Sequence, residues 1–181
     1  MPSAYAHYRF GRQVCPLLDS TEQQTILSRP EPFLIGLHGP DIFFYHHPLG
    51  SSSIKQMGHR MHAEPAETFF RPAAERLALH PDHQAGLSYL YGFLCHFTLD
   101  ATCHPYVESQ VERTGIAHME LEAEFDRMLM IHDGLNPLSH FPAGHIIPSR
   151  KNAAAIAPFF PSVTPDEIQN TLQSMLTCNR L

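Results

Sequence analysis

The chain has 181 residues, 43% hydrophobic and 17% charged, enough for one globular domain with its own core. Its net charge of -6, counted with histidine neutral, gives no support to generic binding of a phosphate backbone. No apolar run is long enough to span a bilayer, so no transmembrane segment is expected. The strong compositional departure is fourteen histidines, and Trp is absent. Cys15, Cys95, Cys103 and Cys178 form no C-x-x-C pair, which argues against a thiolate zinc finger and fits free thiols in a reducing compartment. The start, Met1 to His7, has neither a basic n-region nor an apolar h-region, so a soluble cytoplasmic protein of a single domain, residues 1–181, is expected.

Residues 1–18 are mixed, with His7 their strong ligand type. Ser20-Thr21-Glu22-Gln23 reads as a capping box opening a short helix toward Leu27, closed by Pro30 and Pro32. An apolar run from Phe33 to Tyr45 is broken at Gly36 and at Gly39-Pro40, with Asp41 directly after the break. A carboxylate there needs a partner if it is buried. Gly50 to Ser53 is a loop, and a short helix follows with His59 and His62, interrupted at Pro65. Residues 66–79 read as an amphipathic helix with Phe69, Phe70, Ala73, Ala74 and Leu77 inward and Pro72 as a kink. Asp82 caps a long helix to about Cys103, where Pro105 is expected to end it and leave His104 at a helix exit.

Within that helix His96, Asp100 and His104 stand at i, i+4 and i+8. A four-residue step overshoots one helical turn by only about 40°, so the three project from one side. Phe93, Leu94, Phe97 and Leu99 around them are apolar. Two readings are open: a divalent metal, zinc by ligand chemistry, or a hydrogen-bonded His–Asp–His network. His118, Glu122 and Asp126 repeat the spacing after Gly115, beside Leu121, Phe125, Met128 and Leu129. A solvated acidic face is the alternative, since Glu120 and Glu124 are also there. Matching stripes on two helices favour ligands for His118 and Glu122, with Asp126 orienting a ligand histidine. Residues 132–150 read as an irregular loop near the site, and Thr164-Pro165 opens a last helix to about Leu176. The remaining histidines, His38, His80 and His145 among them, read mostly as surface or loop residues. The fold expected is an all-α multi-helix bundle with a polynuclear metal cleft.

Taken in order, His7, Gly39-Pro40-Asp41-Ile42-Phe43-Phe44-Tyr45, Gly58-x-x-x-His62, Gly92-Phe93-x-x-His96-x-x-x-Asp100-x-x-x-His104-Pro105-Tyr106 and His118-x-x-x-Glu122-x-x-x-Asp126 resemble the zinc-dependent phospholipase C family. The resemblance runs from about residue 5 to about residue 130. It implies two or three zinc ions in one cleft of a helical domain. Asp41, His62, His96 and Asp100 would bind the first, and His104, His118 and Glu122 the second. His7 and Asp100 would bind the third, with His59 the rival to His62. The chain departs from secreted members in lacking the Trp whose amine and carbonyl serve the third ion, and in having Ile42 after Asp41.

The activity implied is hydrolysis of a phospholipid headgroup phosphodiester, or of another phosphodiester, by metal-activated water, with Asp41 as the catalytic group orienting or deprotonating that water. Two other readings compete. One is a single-strand-specific zinc nuclease of similar architecture, although the acidic charge speaks against a nucleic-acid partner. The other is a metal-binding protein of the same fold without catalysis.

Overall fold

The computed structural model describes residues 4–180, and among them every regular element is helical. The α-helices are α1 (Ala4–Val14), α2 (Ser20–Ser28), α3 (Pro30–Gly36), α4 (Ser53–Ala63), α5 (Ala66–Ala78), α6 (His83–Thr114), α7 (His118–His132), α8 (Arg150–Ile156) and α9 (Pro165–Cys178). Short 3-10 turns cover Cys15–Leu17, Gly39–Tyr45 and Ala157–Phe159. The fold is the all-α bundle expected.

Two of the expected starts hold. Asp82 accepts from the Ala85 amide at 3.1 Å to open α6. Thr164 and Glu167 exchange side-chain and backbone bonds as a full capping box at α9. The box expected at Ser20 does not form. Both Ser20 and Thr21 lie inside α2 after Asp19, and Gln23 instead donates to the Leu18 carbonyl at 2.6 Å, closing the preceding 3-10 turn. Pro30 takes the first position of α3, where no amide is needed. On α5, Ala73 is fully buried while Ala74 is exposed, so the inner face is narrower than its sequence suggests.

Pro105 does not end α6, which runs 32 residues to a left-handed Gly115. The proline removes one amide and frees the Ala101 carbonyl. Ala101 and Pro105 both face water, which satisfies the freed group, so the helix continues. His104 therefore stays in a helix interior, in line with His96 and Asp100.

Helix α6 is the axis of the molecule. Its first half packs on α3 so closely that a Cβ at Gly36 would lie 2.3 Å from the Tyr89 carbonyl oxygen, and one at Gly92 2.1 Å from that of Phe33. Glycine at both positions lets two backbones meet. Around this contact lies a core of Phe43, Tyr89, Phe93, Ile156, Phe159 and Leu172. The second half of α6 is flanked by α1 and α7. Ligand-type side chains of four other elements thereby converge on one stretch of α6.

Candidate metal centre

The Gly39–Tyr45 turn carries Asp41 in toward α6. Gly39 holds φ +49°, and a Cβ there would come within 2.2 Å of the His96 ring. Only glycine lets the turn run over that imidazole. Asp41 is 2% exposed. His62 Nε2 lies 2.7 Å from Asp41 Oδ1, and His96 Nδ1 lies 3.7 Å from Oδ2. His62 joins Asp41 and His96 in one group of ligand atoms, whereas His59, its ring exposed against Phe44, joins none of the groups.

Asp100 stands at the middle of the cluster. Its Oδ2 is 3.2 Å from His96 Nε2 and 3.9 Å from His62 Nε2. Its Oδ1 is 3.2 Å from His7 Nε2 and 3.8 Å from His104 Nδ1. His7 is buried and stacks on His96 at 4.3 Å between centroids. On α7, His118 Nε2 meets Glu122 Oε1 at 2.9 Å, and His104 Nε2 reaches the same oxygen at 4.0 Å. Three groups with ligand atoms close enough for one ion result: His7–His96–Asp100, Asp41–His62–His96 and His104–His118–Glu122. Every metal-ligand candidate read from the sequence lies in one of them.

The ring orientations suit a cation. A carbonyl can only accept, so the 2.8 Å bond from His62 Nδ1 to Gly58 O puts the proton on Nδ1. In a neutral ring, Nε2 then presents its lone pair to Asp41. His104 is fixed alike, Nδ1 donating to Asp100 O at 3.1 Å. Asp41 is buried with His62 Nε2 2.7 Å from its Oδ1. A neutral imidazole lone pair and a carboxylate oxygen at that distance need a proton or a metal ion between them. Without metal the charges lean toward protonation. Burial depresses the His62 imidazole, yet the Asp41 carboxylate outweighs it and raises the pKa to about 9. His96 is raised too, burial being outweighed by Asp41 and Asp100. Asp100 is driven far below the carboxylate range because bonds to His7 and His96 overcome its burial.

The sequence matches the family described as zinc dependent phospholipase C over residues 6–160. The chain belongs to that family. This favours metal over a hydrogen-bonded network, and makes the protein a zinc-dependent hydrolase of the phospholipase C type. No curated protein and no solved structure matches the chain significantly.

Asp126, expected to orient a ligand histidine, accepts the backbone amides of Tyr5 and Ala6, directly before His7. Other residues stand differently from their sequence reading. His38 and His80 are buried, not surface residues. His38 Nε2 meets His145 Nε2 at 2.7 Å, and His145 stacks on Tyr8 of α1. The position of His38 directly before Gly39-Pro40-Asp41 was the available signal. Phe125 and Met128 are exposed and not part of a buried apolar face.

The cluster lies between two cavities. One, of about 490 Å³, is lined by His59, His62, His96, Asp100, His104 and Glu108. The other, of about 530 Å³, is mostly apolar: Leu99, Tyr106, Val107, Leu121, Phe125 and Met128 line it, and His7, Asp100, His104 and Glu122 close its inner end.

Proposed function

We propose that the protein hydrolyses the headgroup phosphodiester of a phospholipid, releasing diacylglycerol and a phosphorylated headgroup. One observation carries the choice of lipid: the apolar groove between α6 and α7 opens directly onto candidate ligands of the cluster. An amphiphile would lay its hydrocarbon in that groove and place its phosphate against the cluster. The second cavity, lined by both polar and apolar side chains, offers room for the headgroup. A single-stranded nucleic acid would call for a basic channel with stacking aromatics, whereas the net charge is -6.

In this reading Asp41, His62, His96 and Asp100 hold the first zinc, His104, His118 and Glu122 the second, and His7 with Asp100 the third. When bound, the ions supply charge stabilisation at phosphorus and an activated water. Asp41, buried beside His62 and His96, would help hold the first ion and would orient or deprotonate the reacting water. Asp100, lying between His7 and His96, ties the subsites together.

The test is a rate measurement on phosphatidylcholine micelles and on single-stranded DNA with zinc-loaded protein. Lipid cleavage is expected, with His96→Ala and Glu122→Ala each lowering it about 100-fold or more. Nucleotide release without lipid cleavage would replace lipid by nucleic acid. Full activity in either variant would remove the ligand assignment.

A further inference from the structure

The first turn of α1 is held by a carboxylate from another helix. The Tyr5 amide donates to Asp126 Oδ2 at 2.9 Å and the Ala6 amide to Oδ1 at 2.7 Å. Both bonds are buried, and Asp126 is 9% exposed. First-turn amides have no acceptor within their own helix, and a carboxylate there also meets the positive end of the helix dipole. The next residue is His7, whose Nε2 faces Asp100 at 3.2 Å. Asp126 stands four residues beyond Glu122, so α7 carries a candidate ligand and this anchor on one face. A second clamp lies further along: Asp133 accepts from the Tyr5 hydroxyl at 2.9 Å and from Arg9 Nε at 2.6 Å. That clamp grips side-chain ends, whereas Asp126 grips the backbone immediately before His7.

We propose that Asp126 is a positioning residue for the third metal subsite. It fixes the start of α1 so that His7 faces Asp100. A slip of one residue in α1 would turn His7 by about 100° and remove it from the cleft. The inference rests on the reading of His7 and Asp100 as ligands.

The experiment counts zinc per chain by elemental analysis after dialysis against graded free zinc, with folding checked by circular dichroism. Wild type is expected to hold three ions. Asp126→Asn keeps the shape of the side chain but replaces one acceptor oxygen by an amide that cannot accept. It is expected to weaken one ion about 10- to 100-fold and leave the others unchanged. His7→Ala should lose the same ion, and the double variant nothing more. Asp133→Asn should lower the urea midpoint while keeping three ions, which separates positioning from packing. If Asp126→Asn does not fold, Asp126→Glu, which moves the oxygens by one methylene, is measured for the same loss. A folded Asp126 variant holding three ions at wild-type affinity overturns the proposal. A wild type that holds two ions, unchanged by His7→Ala, overturns the third-subsite reading beneath it.

Discussion

His38 and His145 behave unlike the histidines of the metal cluster. Burial, with His145 beside it, holds the His38 imidazole well below its ordinary range. Burial, then His140, lowers His145 from 6.5 to about 4. Both rings are therefore neutral in the folded protein at neutral pH. The unfolded chain takes up a proton on each near the ordinary value, so acid favours unfolding. The stability involved is full above about pH 6.5 and is lost as pH falls toward about 4. For His145 alone, metal-free protein is expected to lose about 2 kcal/mol between roughly pH 7 and 5. Urea midpoints across that interval should fall less steeply in His145→Phe, and equal slopes would contradict the account. This pair was poorly legible in the sequence, because an isolated histidine carries no periodicity. The cluster was legible because His96, Asp100 and His104, and again His118 and Glu122, repeat at helical spacing.

Among the elements, α6 was legible up to Cys103 and misread beyond it. Proline rules describe the local cost, while the exposure of Ala101 and Pro105 decides whether that cost ends the helix, and exposure is a tertiary fact. Pro105→Ala restores an amide to the Ala101 carbonyl and is expected to stabilise the fold by about 2 kcal/mol, part of the gain being offset by a freer unfolded chain. Chemical denaturation measures it, and a destabilised variant would mean that the proline shapes the helix around His104. Helix α1 went unread for a different reason. The group that holds its first turn is Asp126, 121 positions along the chain from Tyr5, so nothing local announces a helix start. By contrast Asp82 and Thr164 cap their own helices from adjacent positions, and both were read correctly.

At the scale of the whole molecule, four elements bring their ligand-type side chains to those of α6, between an apolar groove and a second cavity. Motif order foretold the convergence, but the groove was invisible in the sequence. Leu121, Phe125 and Met128 read as a buried face, and only the packing of α7 against α6 leaves Phe125 and Met128 open. No described helix is long and apolar enough to cross a membrane. The three groups of ligand-type side chains make metal the condition for this chemistry. The most direct test is therefore the metal content of protein purified without chelator or nickel. Three zinc ions per chain, lost on removal of His96 or Glu122, is the result predicted. No zinc, with none taken up when it is added, would mean that the stripes form only a hydrogen-bonded core, and would contradict the account at its base.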